Sequence, residues 1–478
     1  MNRIRHISLQ TMACLCFSFA FGCGVSAQLP DSRDDSISEL QQPETVTEKS
    51  QPEEAMAGID FLHFWAIPQA TRSQGIIPGR PGKGDYNYAD VYDQSNFQRL
   101  YHRATDQASQ QNSERMKALL RDNARLYPDK VNPTGSPFLY TALGRFQTGN
   151  FDRDYLIFQI LSTLAFACGV WLIGREVGLG LWPIVAVIAL SFVLFRPFQV
   201  DVLVANVNRL QVLMIAGAIW LIRFDKRSYF AAGAILALGV LFKLNFVFVP
   251  VFLLTGLVLE RKFKAIGYFL AGAAVGTAFG YFPNSDGWVP WFQYVSEATR
   301  ELFPVSKGNY SLLALLTVNS KLVSLVIAGC IWLSLLLVHR MRIGSSGTLN
   351  STSESSAEPL RIWCVAGLLA YLMSSSLVWS HYYVLAIPAI LVLLGNIKKS
   401  AASTRDSDQP MPQNRYRASW SVWAIAVVLV SGLAAPLLFS NILIVVSMQI
   451  GLALLLGLLL YGLGQKRRLS DLSHATEA

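Results

Sequence analysis

Long apolar runs separated by short polar connections make up the chain from Tyr155 onward. Most runs approach the ~20 residues that an α-helix needs to cross a ~30 Å hydrocarbon core. The pattern therefore predicts an all-α polytopic membrane protein with about eleven or twelve membrane segments. We predict spans at about 155–173, 180–197, 207–222, 265–282, 362–378, 384–395, 420–438 and 442–463, and another that ends at 339–342.

The apolar segment from Tyr229 to Leu259 is too long for one span. As a single helix it would measure roughly 46 Å at 1.5 Å per residue, and it would bring the basic sequence 261–264 to the outer face. Lys243 and Asn245 interrupt it near its middle. We therefore predict two short helices with 243–245 at an outward apex, because irregular backbone is tolerated at membrane depth where it lines a wet cavity.

The charges of the connections orient the chain in the membrane. Lys and Arg concentrate at 174–176, 223–227, 261–264, 339–342 and 398–399. Cytoplasmic loops carry such an excess, so these connections are predicted to be cytoplasmic. The exoplasmic face then receives the unusual polar residues of the chain: Asp60, Asp201, Asn206, Asn208, Lys243, Asn309 and His381. Ionisable groups near bilayer depth tend to face a cavity or a partner, so their convergence predicts a functional site.

The region before the first of these spans has two kinds of composition. Residues 1–27 have the pattern of a secretory signal but are nearly long enough for a first membrane helix, and either alternative puts the following residues outside. The polar, acidic residues 28–55 are typical of a disordered spacer. The organisation that we predict is a signal-like segment or helix at 1–27, a spacer at 28–55, a large exoplasmic loop at 56–153, a core membrane bundle at 154–395, a cytoplasmic loop at 396–418, C-terminal membrane helices at 419–464 and a cytoplasmic tail at 465–478.

Composition supports a membrane protein and argues against other classes. Of the 478 residues, 52% are apolar and only 15% are charged, a balance that is unusual for a soluble chain. The net charge of +9 is explained by basic cytoplasmic loops, so no nucleic-acid partner is predicted. The six cysteines lie in apolar runs without metal-binding spacing, and we predict neither a metal site nor a disulfide framework.

The sequence around Asp60 is the first candidate for catalysis. Asp60 and His63 lie three residues apart, where a long polar segment meets aromatic residues suited to a membrane interface. In a membrane enzyme, Asp60 is the first candidate for the base. His63 is predicted either to pair with Asp60 one helical turn away or to be an ordinary surface histidine.

Several short motifs, in this order, resemble those of one family. They are Asp60-Phe61, Asn206-Val207-Asn208 at the start of a span, Phe242-Lys243-Leu244 between two half-helices, Asn309-Tyr310-Ser311-Leu312, and Ser376-Leu377-Val378-Trp379-Ser380-His381-Tyr382-Tyr383. From Asp60 to Leu394 the chain resembles glycosyltransferase family 87. These are C-type membrane glycosyltransferases, typified by polyprenol-phosphate-mannose-dependent mannosyltransferases. Asn206, Tyr310, Ser380 and Tyr382 stand where the family usually has Gln, Gln, Asp and His.

The resemblance implies transfer of a hexose, mannose first, from a polyprenyl-phosphate donor to an acceptor hydroxyl at the exoplasmic face of the cell membrane. Asp60 is then expected to act as the base, with Lys243 and His381 holding the donor phosphate. Asn206, Asn208 and Asn309 are expected to orient sugar hydroxyls, and Trp379 and Tyr382 to stack on a sugar ring. The implied partners are a polyprenyl-phosphate sugar, a glycan or glycolipid acceptor and membrane lipid, without a cofactor.

Two other classes stay open at this point. A secondary transporter also has broken helices and polar groups near the membrane midplane, although it more often shows an internal repeat, and none is visible between the halves. A catalytically inactive membrane scaffold is the third class. Transfer of sugar by the wild-type chain, lost on replacement of Asp60, distinguishes the enzyme from both.

Overall fold

The computed structural model describes residues 58–73, 91–92, 119, 135–298, 304–305, 308–318, 320–345, 357–403, 413–438 and 440–475. The signal-like segment, the acidic spacer and most of the large loop up to residue 134 lie outside the described residues.

The described residues form α-helices joined by short turns and 3₁₀ segments, and contain no strand. The first eight helices are α1 (Ile59–Ser73), α2 (Pro137–Gly144), α3 (Phe151–Glu176), α4 (Leu181–Val193), α5 (Arg196–Val204), α6 (Asn208–Leu221), α7 (Ser228–Phe242) and α8 (Phe248–Leu259). The next eight are α9 (Phe263–Tyr281), α10 (Ser285–Ala298), α11 (Leu312–Leu315), α12 (Lys321–Ser345), α13 (Ala357–Ser374), α14 (Ile387–Ser403), α15 (Gln413–Val430) and α16 (Asn441–Ala475). The 3₁₀ segments that bear on the site are Leu244–Val247 and Ser380–Ala386.

Five segments in the described part of the chain are long and apolar enough to cross a membrane, or six if a bent pair counts as one span. Four further apolar helices are shorter, with 10–17 residues each. Large apolar side chains such as Trp182 (78% exposed) and Phe279 (60% exposed) cover the outside of the bundle, as expected for a surface that faces lipid. The predicted all-α polytopic membrane fold is confirmed, with fewer full-length spans among the described residues than the eleven or twelve expected.

Three segments differ from their sequence-based description. The span expected at 180–197 is broken into α4 and α5, which meet at 64°. Pro197 lies in the first turn of α5 and has no N–H with which to continue the hydrogen bonds of α4. The loop expected at 396–418 is helical at both ends, because α14 continues to Ser403 and α15 begins at Gln413. Residues 465–475 of the tail expected at 465–478 continue α16.

The break expected inside the long apolar segment is confirmed. Helix α7 ends at Phe242, Lys243 has an extended backbone (φ −156°, ψ 118°), and a 3₁₀ turn then leads into α8. Lys243 therefore lies at the point where the chain reverses between two helices, and not on the face of either.

Helix α7 packs against α9 with the two backbones in contact. A Cβ atom added at Gly272 would lie 1.8 Å from the carbonyl oxygen of Phe230, and one at Gly233 would lie 2.1 Å from that of Phe269. Only glycine fits at these two positions, which is the small-residue packing typical of membrane helices. This contact fixes the height of α7 and with it the position of Lys243.

Helix α1 docks on the carboxyl-terminal end of α2, where Pro68 contacts Gly144, and on the amino-terminal end of α3. The ring of Phe61 packs among those of Phe151, Tyr155 and Phe158 at centroid distances of 5.1–5.6 Å. The buried indole N–H of Trp65 donates to a carboxylate oxygen of Asp154 at 2.9 Å. These contacts hold the helix that carries Asp60 against the membrane bundle.

Candidate functional site

Four parts of the chain that are distant in sequence meet at one end of the bundle: the start of α1, the turn between α5 and α6, the break between α7 and α8, and the 3₁₀ segment at 380–386. The prediction that the aspartate, the lysine and the histidine converge is confirmed. The side chains that form the cluster are Asp60, Asn206, Asn208, Lys243, His381 and Tyr382.

Asp60 lies in the first turn of α1 and faces the α5–α6 turn. The side-chain amide of Asn206 donates to its carboxylate at 2.6 Å. The imidazole Nε2 of His381 lies 3.6 Å from the same oxygen. The Asp60 side chain keeps 30% of its surface exposed, so the carboxylate lines an opening and is accessible to a ligand.

The α5–α6 turn supplies both amide side chains of the cluster. Helix α5 ends at Val204, and Ala205 adopts a left-handed conformation with φ +58°. The chain therefore reverses within a few residues and starts α6 at Asn208. The reversal brings Asn206 and Asn208, which are almost fully buried, to the same cation.

The ammonium group of Lys243 is that cation. It donates to Oδ1 of Asn208 at 3.1 Å and lies 3.4 Å from Oδ1 of Asn206. It also lies 3.7 Å from the centroid of the Tyr382 ring, a cation–π contact. All three groups are electrically neutral, so the lysine charge is oriented without being cancelled by a directly bonded carboxylate.

His381 lies between the acidic and the basic parts of the cluster. Its Nε2 is 3.2 Å from the amide nitrogen of Asn206 and accepts from that amide when unprotonated. Its ring meets Tyr382 edge to face with centroids 4.8 Å apart. One face of Tyr382 is occupied by the ammonium of Lys243, so the expected sugar stacking on this ring has only the other face available.

A buried ion pair behind the cluster was not among the expected site residues. Asp201 and Arg209 are both fully buried, with 2.9 Å between Arg209 Nε and a carboxylate oxygen. Asp201 was expected only to lie on the outer face, and Arg209 was missed. The signal was present, because an arginine inside an apolar span eight residues after a carboxylate is costly unless the two are paired.

Asn309 contacts the backbone of residues 376–378. It is fully buried, and its amide donates to the carbonyl of Ser376 at 2.8 Å while its Oδ1 accepts from the backbone N–H of Val378 at 3.1 Å. This side chain holds the backbone that leads to His381, which leaves little capacity to orient a sugar. Trp379 is half-buried, and its ring packs against Gly308.

His63 lies one helical turn after Asp60 on α1 and is half-buried. The hydrogen-bonded cluster described above is built around Asp60 from Asn206 and His381. A role for His63 beside Asp60 stays a prediction.

The surroundings of Asp60 change its acidity. Burial raises the pKa of this carboxyl above its usual 3.8, while the hydrogen bond from Asn206 and the charge of Lys243 act in the opposite direction. A carboxyl with a raised pKa is a better proton acceptor than an ordinary exposed aspartate, which suits a general base. Among the described residues there is no group of three or more His, Cys, Asp or Glu side chains that could hold a metal ion. Independence of metals and cofactors stays a prediction.

Comparison with known protein families gives one match. The model of glycosyltransferase family 87 matches residues 131–354, a segment that contains Asn206, Asn208, Lys243 and Asn309. No curated protein and no solved structure matches the chain. Asp60 and His381 lie outside the matched segment, and the fold brings both into contact with Asn206 inside it. Over residues 131–354 this all-helical membrane protein is therefore similar to glycosyltransferase family 87, which supports a membrane glycosyltransferase.

Proposed function

We propose that the chain transfers a hexose, mannose first, from a polyprenyl-phosphate donor to a hydroxyl of a glycan or glycolipid acceptor at the exoplasmic face of the cell membrane. The observation that carries the proposal is the contact of one amide, Asn206, with Asp60, Lys243 and His381 together. A carboxylate and a cation held a few ångströms apart suit a displacement in which one group takes a proton while the other receives a departing anion.

In this reaction Asp60 removes the proton from the acceptor hydroxyl as its oxygen attacks the anomeric carbon of the donor sugar. The bond between that carbon and the phosphate oxygen breaks, and its electron pair leaves with the polyprenyl phosphate. Lys243 stabilises the negative charge that develops on the phosphate. His381 is proposed to assist as a hydrogen-bond donor to the same phosphate. Asn206 and Asn208 hold the ammonium of Lys243 in place, and Asn206 also holds the carboxylate of Asp60.

An apolar groove near the site supports a lipid-linked donor. It has a volume of about 450 Å³ and lies between α3 and α5, lined by Tyr155, Gln159, Ile160, Thr163, Leu164 and Val202. Tyr155 borders the first turn of α1, since a Cβ atom at Gly58 would lie 2.9 Å from its ring. We propose that the first isoprene units of the donor lie in this groove.

The distribution of basic residues supports an exoplasmic site. Helix α3 is about 39 Å long at 1.5 Å per residue, with the cluster near its first turns and Glu176 at its far end. At that far end Arg223 bonds Glu176 at 2.9 Å, and Arg361 bonds the same carboxylate. Basic residues favour the cytoplasmic side, so the end that carries Asp60 is proposed to face outward.

The proposal is tested with purified protein in liposomes. A short-chain polyprenyl-phosphate mannose with a radiolabelled sugar is supplied together with a membrane glycolipid extract, and labelled glycolipid is measured. Glucosyl and galactosyl donors are compared in parallel. Labelling from a polyprenyl-phosphate donor supports the function, and a preference among the three sugars defines the hexose. Labelling from nucleotide sugars alone would overturn the proposed donor class.

A further inference from the structure

We propose that Asp201, held by Arg209, is a positioning residue that fixes the orientation of the Asn208 amide and through it the place of the Lys243 ammonium. The inference rests on the proposed function, because it assigns this pair to the donor-phosphate part of the same site. Neither residue is accessible to a ligand, since both side chains are fully buried.

Asp201 bonds three parts of the turn that forms the site. Its carboxylate accepts from the Asn208 amide at 2.8 Å and from Arg209 Nε at 2.9 Å. Its backbone carbonyl accepts from the N–H of Asn206 at 3.2 Å. The left-handed residue Ala205 lies between these attachments. One residue on α5 therefore holds the complete reversal into α6.

The chemistry of the carboxylate determines which way the Asn208 amide points. An ionised carboxylate only accepts hydrogen bonds, so the NH₂ group of Asn208 must face Asp201. The amide oxygen then faces the opposite way, where it accepts from Lys243 at 3.1 Å. With an amide in place of the carboxylate, only the longer 3.3 Å bond to the backbone carbonyl of His381 would still require the NH₂ group of Asn208 in this orientation. The flipped amide, which points its NH₂ group at the ammonium, would then be populated more often.

Arg209 anchors the arrangement to the membrane bundle. It lies on α6, and its Nη1 donates at 2.9 Å to the hydroxyl of Thr163 on α3. Burial of two charges is costly, and a hydrophobic pair of similar volume often serves stability as well or better. A role in orienting Asn208 gives a physical reason for an ion pair at this position.

The test must separate positioning from folding, because Asp201→Asn alone leaves the buried charge of Arg209 without its counter-ion. The decisive variant is therefore the neutral pair Asp201→Asn with Arg209→Gln, which removes both charges. Asp225→Asn is the matched control, because this exposed carboxylate caps Ser228 on a loop at the other end of α6.

We expect the neutral pair to unfold within a few degrees of the wild type in detergent, and Asp201→Asn alone to unfold at a clearly lower temperature. Sugar transfer by the neutral pair should still fall at least tenfold, through a higher KM for the donor and a lower kcat, with the acceptor KM unchanged. The Asp225→Asn control should match the wild type in unfolding temperature, in kcat and in both KM values. A neutral pair with wild-type kcat and donor KM would overturn the inference.

A second measurement does not depend on the reaction. Reductive methylation of Lys243, followed by mass spectrometry of its peptide, reports how firmly the ammonium is held. Methylation should be several-fold faster in the neutral pair than in the wild type or the Asp225→Asn control. Equal rates would overturn the inference. A wild-type protein that transfers no sugar while the neutral pair shows faster methylation would refute the proposed function and support the positioning of Lys243.

Discussion

Replacement of Asp60 by Asn removes the proposed base and keeps the shape of the side chain. Asn206 donates to Asp60 through its amide nitrogen at 2.6 Å, and an asparagine at position 60 can offer its own amide oxygen to the same donor. The side chain is 30% exposed, so the substitution leaves no fully buried polar group without solvent. We therefore expect a folded protein that has lost a proton acceptor.

The expected magnitude follows from the role of a general base. Removal of a positioned base lowers rates by about 10²- to 10⁴-fold, which corresponds to about 3 to 5 kcal/mol in transition-state stabilisation. Donor binding should change less, because Lys243 keeps its contacts with Asn208 and with the Tyr382 ring. The loss should therefore appear in kcat, with the donor KM within a few-fold of the wild-type value.

The assay is steady-state transfer of radiolabelled sugar from a polyprenyl-phosphate donor in liposomes, with thermal unfolding measured on the same preparations. Asp152→Asn is the matched control, since Asp152 is an exposed carboxylate in the first turn of α3 at the same end of the bundle. The control should retain wild-type transfer. Transfer by Asp60→Asn at more than about a tenth of the wild-type rate, with the fold intact, would refute the assignment of the base.

The pH dependence gives a second view of the same group. Burial raises the pKa of Asp60, so the protonated, inactive form persists to higher pH than in an ordinary aspartate with a pKa of 3.8. The acidic limb of kcat/KM should therefore lie above pH 3.8, with activity rising as the pH increases through it. The limb should be absent from the residual activity of Asp60→Asn. An unchanged limb in that variant would assign it to another group.

Three further perturbations address the cation and the two contacts that position the site. Lys243→Met should raise the donor KM at least tenfold and lower kcat, with partial recovery in Lys243→Arg; a change confined to the acceptor KM would contradict the phosphate role. Trp65→Phe removes the 2.9 Å hydrogen bond to buried Asp154 and should cost about 1–3 kcal/mol of stability, measured by thermal unfolding; an unchanged melting temperature would contradict it. Gly272→Ala should destabilise by about 1–3 kcal/mol through overpacking, whereas Gly267→Ala on the same helix, with no atom within 4 Å of the added Cβ, should not; equal melting temperatures of the two variants would refute this.

The sequence predicted the parts of this architecture that depend on composition and span length. Apolar runs and basic connections gave the all-helical bundle, and the excessive length of 229–259 located the break at Lys243, as the structure confirms. The bend before Pro197 was missed, because the apolar run 180–197, which contains α4 and only the first two residues of α5, by itself has the length of one span. Hydropathy alone does not distinguish a straight helix from two short ones of the same total length.

The candidate site was predicted in its members but not in its detailed geometry. The shared side of the membrane indicated that Asp60, Lys243 and His381 converge, since orientation follows from loop charge. The left-handed turn at Ala205 had no such signal, because alanine is an ordinary helix residue and only the three-dimensional structure shows its positive φ. Asn309 was expected to orient a sugar because of the family resemblance, whereas its hydrogen bonds to residues 376 and 378 are with backbone groups of its own fold.

The backbone contact between α7 and α9 affects the position of the Lys243 ammonium, although it lies away from the cluster along α7. Gly233 precedes Lys243 by ten residues, which is about 15 Å along the helix. Helix α7 is short and is followed directly by the lysine, so any side chain that pushed it away from α9 would shift the ammonium as well. Selection of sequences with altered turnover should therefore return substitutions along this glycine contact, outside the polar cluster itself.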